Sequence, residues 1–196
     1  MDWDTRYAEP GYAYGETAND FLVEHADLIP TGNVLCLAEG QGRNAVFLAK
    51  QGYTVTAVDS SAIGLEKART LAAKHGVEIE TIHADLANFV IEPGRWQGIV
   101  SVFCHLPPAL RRQVHAGVTQ GLLKGGVLIL EAYTPAQLEF ATGGPPSAEL
   151  CMTLDALRDE LSQLDWQHGL ETEREVIEGK YHFGQAAVVQ VIAYKR

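Results

Sequence analysis

Three cysteines, Cys36, Cys104 and Cys151, stand far apart in the 196-residue chain and no CxxC pair is present. That excludes a cysteine-built zinc site and a disulfide framework, and it suits a reducing compartment. Positive charge is also scarce: 15 Lys and Arg face 25 Asp and Glu, leaving a formal charge of -10. A surface of that sign repels phosphate backbones and anionic headgroups, so neither nucleic acid nor membrane is an expected partner. No apolar run reaches bilayer-spanning length, and the start, Met1-Asp2-Trp3-Asp4, is acidic where a secretory signal is basic. The expectation is a cytoplasmic protein. No internal repeat is present either. What the chain does have is 46% apolar residues over a length that suits one core.

Strand-like and helix-like stretches alternate along it. Phe21, Leu22, Ala26 and Ile29 recur at helical spacing within 16–28, and Pro30-Thr31-Gly32 ends that helix. Residues 33–38 form a short apolar strand running into Glu-Gly-Gln-Gly. Helices are predicted over 43–50, 61–75, 107–123 and 154–164, and strands over 53–58, 77–83, 99–103 and 127–132. The rhythm implies a parallel sheet with right-handed crossovers and helices on both faces. Two final alternating runs, 171–178 and 183–194, are separated by Gly179-Lys180-Tyr181-His182 and predict an antiparallel hairpin. The fold class is α/β: a Rossmann-like, doubly wound, mostly parallel seven-stranded sheet. The Ala141–Ser147 stretch, with Gly143-Gly144-Pro145, is a candidate lid.

The strongest chemical signal is Glu39-Gly40-Gln41-Gly42-Arg43-Asn44 between a buried strand and a helix, with Asp59 twenty residues after Glu39. Gly40 and Gly42 free the backbone for close approach, and Asp59 can accept both hydrogens of a ribose diol. Gly40-x-Gly42-x-x-Ala45 also satisfies the relaxed dinucleotide fingerprint, so two cofactors compete. Glu39 decides between them, because a carboxylate before the first glycine repels a pyrophosphate and suits the ammonium of S-adenosylmethionine. Asp85, in His83-Ala84-Asp85-Leu86, can accept from an adenine amine. Helix capping or turn formation is the alternative at Asp59 and Asp85.

These residues resemble class I S-adenosylmethionine-dependent methyltransferases, and within them the tellurite-resistance, TehB-like branch. The resemblance runs over Trp3-Asp4-x-Arg6-Tyr7, Tyr14-Gly15, the Glu39–Asn44 loop, Asp59, Asp85, Ser101-x-Phe103-Cys104-His105-Leu-Pro107, Gly143-Gly144-Pro145 and Glu178-Gly179-x-Tyr181-His182-x-Gly184. It implies that Glu39, Gly40, Gly42, Arg43 and Asn44 hold the methionine part, Asp59 with Ser60 the ribose, and Asp85 with Leu86 the adenine. Ser101 and Phe103 would line the sulfonium end, while Arg6 and Tyr14 would close the site. Two positions depart from the wider class: Asn44 replaces a third glycine and Gly98 an acid.

The implied arrangement is a single domain over 1–196, with a cap segment and helix (1–32), a cofactor-binding core (33–133) and a substrate-side loop, helix and hairpin (134–196). The expected activity is in-line methyl transfer from S-adenosylmethionine to a small soft nucleophile: tellurite, selenite, or a thiol or selenium compound. His105, His182 and Arg6 are the substrate-side candidates, and no metal is required. The protein would act on a small molecule as a monomer or homodimer. The rivals are an NAD-binding oxidoreductase, for which no Tyr-x-x-x-Lys dyad is found, and a non-catalytic S-adenosylmethionine sensor. Trp3, Tyr7, Tyr12 and Tyr14 could staple the N-terminal segment to the core or lie over a sulfonium. His182 and Tyr181, in the predicted turn, are expected to be exposed by default. An acidic protein taking an oxyanion would need a local positive pocket, and only Arg6, Arg43 and His182 are on offer.

Overall fold

A computed structural model describes residues 2–196. The chain runs α1 (Trp3–Ala8), α2 (Asp20–His25) continued by a 3-10 turn (Ala26–Leu28), β1 (Asn33–Leu37), α3 (Arg43–Lys50), β2 (Thr54–Asp59) and α4 (Ala62–Lys74). It continues through β3 (Glu80–His83), β4 (Trp96–Val102), α5 (Pro108–Gly121), β5 (Leu122–Tyr133), α6 (Leu154–Glu160), β6 (Leu164–Glu178) and β7 (His182–Lys195).

Seven strands form one sheet in the order β3-β2-β1-β4-β5-β7-β6. The first five are parallel, whereas β7 enters antiparallel between β5 and β6. The predicted sheet and terminal hairpin are therefore present. Strand alternation divides the core. Leu35, Leu37, Ile99, Leu128 and Leu130 pack with Val114 and Val118 of α5 and with Leu157 of α6. Val34, Cys36, Val100 and Ile129 face Phe21 and Leu22 of α2 and Ala45 and Leu48 of α3. Burial on both faces is why β1 and β5 read as continuous apolar runs.

Several predicted boundaries shift. The helix expected over 16–28 begins only at Asp20, because Asn19 caps it by accepting the Leu22 N–H at 3.0 Å. The fourth strand starts at Trp96, and a register shift between Trp96 and Gly98 explains the broken alternation there. β6 begins at Leu164, where a longer α6 was expected, and His182 belongs to β7 rather than to a turn. The short α1 was not predicted; Asp2 caps it through the N–H groups of Asp4 and Thr5. On the α5–α6 side, Glu160 is gripped by Arg111 at 2.8 Å and lies 2.6 Å from His115 Nδ1, a buried cluster that pins the two helices.

Candidate functional site

Strand order reverses between β1 and β4, and an open α/β sheet forms its crevice at the carboxyl ends beside that reversal. A cavity of about 530 Å³ lies there. Ala38 and Glu39 after β1, Asp59 at the end of β2, and Val102 to Pro107 around the end of β4 line it. Ala38 (φ 48°) and Phe103 (φ 52°) hold left-handed backbone at the tips of adjacent strands. Such strain persists only where surroundings over-determine it, and it concentrates at functional sites.

Glu39 spans the loop. Its Oε1 accepts the N–H groups of Asn44 (2.9 Å) and Ala45 (2.8 Å), capping α3, whose own N-cap residue Gly42 has no side chain to do so. Among the described residues no N–H or O–H group bonds Oε2, and the buried Cys36 thiol lies against the same carboxylate. Burial raises the Glu39 pKa to about 7, against the opposing pull of those N–H groups and Arg43. Asp59 accepts the Gly40 N–H through Oδ2 and the Ser61 N–H through Oδ1, both at 2.8 Å, and burial raises its pKa as well.

The glycines serve packing. A Cβ at Gly40 would stand 2.4 Å from the Tyr7 hydroxyl, and one at Gly42 would stand 2.6 Å from the Ala68 Cβ. Both residues have positive φ, and Gly42 lets α3 seat against α4. The close approach expected at Gly40 is thus made by α1. That helix crosses the loop, with Trp3 stacked on Tyr7 at 5.5 Å and Asp4 accepting the Ser61 hydroxyl at 2.5 Å. Arg6 donates to the Tyr14 hydroxyl at 3.4 Å and lies 3.8 Å over the Tyr181 ring. Glu9 binds Lys180 Nζ and accepts the Tyr181 hydroxyl, each at 2.6 Å. The N-terminal segment is thereby latched to the β6–β7 turn, and Trp3, Tyr7 and Tyr14 also wall the cavity, whereas Tyr12 does not line it.

Of the residues singled out from sequence, Arg6, Tyr14, Glu39, Arg43, Asn44, Asp59, Phe103, His105 and His182 line the cavity together. Six do not: Gly40, Gly42, Ser60, Asp85, Leu86 and Ser101. Ser60 is exposed. Asp85 is exposed too, and its Oδ1 accepts the Ala87 N–H at 2.8 Å, the turn-forming alternative. Leu86 and Ser101 are buried in the core. Gly143, Gly144, Pro145 and Pro146 of the glycine-proline loop form another wall. His182 is buried against Tyr14, Phe103 and Tyr133, not exposed.

His105, a substrate-side candidate, is a hydrogen-bonded imidazole, and Cys104 beside it is a packed thiol. His105 Nδ1 donates to the Leu150 carbonyl at 2.9 Å and Nε2 accepts the Tyr133 N–H at 3.4 Å. Burial lowers its pKa to about 4. Both nitrogens are committed to backbone, so His105 positions the loop. Burial pushes the Cys104 thiol up to about 12, with the Asp59 charge adding to it, which keeps it protonated.

A buried polar network went unseen in the sequence. Asn19 Nδ2 reaches both Glu131 (2.9 Å) and Glu178 (2.8 Å); Arg174 and Gln190 also bind Glu131, and Arg43 binds Glu178 at 2.6 Å. The signal was present as an acid inside the apolar run Val127–Tyr133. Burial opposes ionisation of Glu178, yet Arg43, the neighbouring His182 and Asn19 hold its pKa down to about 2.

Residues 34–126 match the protein family described as "Methyltransferase domain". A curated relative, 2-heptyl-1-hydroxyquinolin-4(1H)-one methyltransferase of Mycobacteroides abscessus, is 25% identical over 143 residues, covering 70% of this chain and 62% of its own. TehB from Haemophilus influenzae superposes with a TM-score of 0.77 at 20% identity, over 91% of this chain and 63% of its own. The N-methyltransferase NodS from Bradyrhizobium japonicum, in complex with S-adenosyl-L-homocysteine, superposes with a TM-score of 0.72 at 13% identity, over 98% of this chain and 96% of its own. The chain thus spans under two thirds of both the curated relative and TehB.

Proposed function

We propose that this chain is a class I S-adenosylmethionine-dependent methyltransferase that transfers a methyl group to a small soft nucleophile, a reading supported by its methyltransferase-domain match and its TehB-like fold. The carrying observation is how Glu39 is used. Because its Oε1 already satisfies the first N–H groups of α3, that helix end offers little to a pyrophosphate, and the negative charge repels one. The same carboxylate keeps Oε2 for an ammonium. Asp59 spends one lone pair per oxygen on backbone and keeps the others for ribose hydroxyls. Tyr7, Tyr14 and Phe103 line the cavity with aromatic rings, which suit a cation. These residues fit S-adenosylmethionine and disfavour NAD.

When bound, that cofactor supplies an electrophilic methyl group on a sulfonium. The chain's residues then align an acceptor and exclude water, with α1 and the glycine-proline loop walling the cavity. On this reading 1–196 act as one methyltransferase domain, cytoplasmic, as a monomer or homodimer, with a small-molecule acceptor. The sequence motifs shared with the tellurite-resistance branch are what favour tellurite or selenite and a part in tellurite resistance; a thiol or selenium compound is the other acceptor of this class.

Incubating methyl-labelled S-adenosylmethionine with tellurite, selenite and phenylmethanethiol tests the activity. Labelled product from at least one acceptor is expected. Cofactor binding with no product from any would leave the non-catalytic sensor standing.

A further inference from the structure

We propose that His182 is the proton acceptor for an uncharged organic thiol, and that this thiol, not an oxyanion, is the methyl acceptor; the inference rests on the methyltransferase reading. His182 opens β7 and is only 8% exposed. Three rings clamp its imidazole: Tyr14 at 4.5 Å, Phe103 edge-on at 4.8 Å and Tyr133 edge-on at 5.1 Å. Its Nδ1 is buried without a hydrogen-bond partner, and Glu178 Oε2 lies 3.7 Å away. A proton on Nδ1 facing that carboxylate leaves the lone pair on Nε2, the tautomer a general base needs. A carboxylate beside Nδ1 also stabilises the imidazolium formed when Nε2 takes a proton.

Charged and titratable groups approach this ring from several elements. Glu178 of β6 favours the protonated form, whereas Arg43 of α3 and Arg6 of α1 disfavour it, as does burial. His105, in the loop after β4, faces it as a neutral imidazole. Tyr14 and Tyr133 flank it, and burial raises the pKa of both phenols. The balance lies below the usual imidazole range, so at neutral pH His182 is an uncharged base and offers no positive charge to an anion.

The rest of the cavity offers little positive charge in its place, only the guanidinium groups of Arg43 and Arg6 among the described residues. Arg43 is committed to Glu178 at 2.6 Å, with both side chains under 10% exposed. Arg6 is stacked on Tyr181 and bound to Tyr14. Glu39 and Asp59 contribute two carboxylates to the lining. A tellurite or selenite anion would meet two acids against a single guanidinium, that of Arg6, already held by two phenol rings, which a desolvated site does not repay. A neutral thiol meets aromatic walls and a ready proton acceptor. In the step, the S–H proton passes to His182 Nε2 and the thiol sulfur's electron pair forms the new S–CH3 bond. The sulfonium–methyl bond breaks with its pair retained on the departing sulfur, giving a neutral thioether.

Three measurements test this on the full chain. Wild-type enzyme turns over phenylmethanethiol at least tenfold faster than selenite or tellurite at pH 7, a comparison that needs no variant. His182→Gln lowers thiol turnover by about 10²-fold or more at pH 7, and its rate then rises tenfold per pH unit toward the thiol's own pKa, where wild type is flat. Calorimetric affinity for S-adenosylhomocysteine stays within threefold in the variant. Faster oxyanion turnover by wild type, or a variant with an unchanged pH profile, overturns the inference while leaving methyl transfer intact. Wild-type protein that gives no S-adenosylhomocysteine heat overturns the methyltransferase reading itself.

Discussion

Replacing Glu39 by Gln should move stability and cofactor affinity in opposite directions. Gln keeps an acceptor oxygen for the Asn44 and Ala45 N–H groups but turns the second oxygen into a donor that cannot hold an ammonium. The buried carboxyl titrates near 7 instead of its ordinary 4.5. A folded-state pKa raised in this way gives stability that is complete below the unfolded value and lost as pH rises through about 7. At pH 8 the ionised group therefore costs up to about 3 kcal/mol, which the neutral amide recovers. Loss of a hydrogen bond to a charged partner costs about 1.5–3 kcal/mol of binding, roughly 10- to 150-fold in affinity. Urea denaturation at pH 8 should show the variant more stable than wild type, while calorimetry shows weaker S-adenosylhomocysteine binding. Wild-type affinity should fall up to tenfold per unit below pH 7, whereas the variant should be flat between pH 6 and 8. Equal affinities, or a flat wild-type profile, would refute the reasoning.

Other substitutions probe separate parts of the account. Asp59→Ala should weaken S-adenosylhomocysteine binding by about 1–3 kcal/mol in the same titration, and unchanged affinity would place the ribose elsewhere. Gly42→Ala, at φ 90° and with its Cβ 2.6 Å from that of Ala68, should cost about 2–4 kcal/mol through backbone strain and overpacking, read as a drop of several degrees in thermal midpoint. Burial opposes ionisation of Glu160, yet His115 and Arg111 hold its pKa down to about 2. A lowered folded-state value contributes above the unfolded pKa and is lost on acidification, so up to about 3 kcal/mol should disappear between about pH 5 and pH 2. Arg111→Met should shrink that acid limb, leaving the share due to His115, while lowering stability at pH 7; an unchanged limb would mean that Arg111 contributes nothing to it.

The parallel core was legible because its signals are local: an apolar run into Glu39-Gly-x-Gly, then a helix, then a β-branched strand ending in Asp59. Helix α1 was not legible, since six residues with one buried side chain, Tyr7, have no periodicity, and what orders them is contact with Gly40, Ser61 and the distant β6–β7 turn. The same limit hid His182. Nothing local announces that a histidine beside a glycine turn will be roofed by Tyr14 and floored by Phe103 and Tyr133, residues 49 to 168 positions away. Asp85 was legible both as an adenine acceptor and as a turn former, and its Oδ1 takes the second part by accepting the Ala87 N–H. The proposed shortage of positive charge was visible in composition; its cause was not, since Arg43 is bound by an acid 135 residues further on.

The most direct test of the account is a paired calorimetric titration of the wild-type protein at pH 8 with S-adenosylhomocysteine and with NAD. Binding of S-adenosylhomocysteine at one site per chain, with no heat from NAD, is the predicted result. Saturable NAD binding with no response to S-adenosylhomocysteine would contradict the assignment of Glu39 and Asp59 and, with it, the methyltransferase reading.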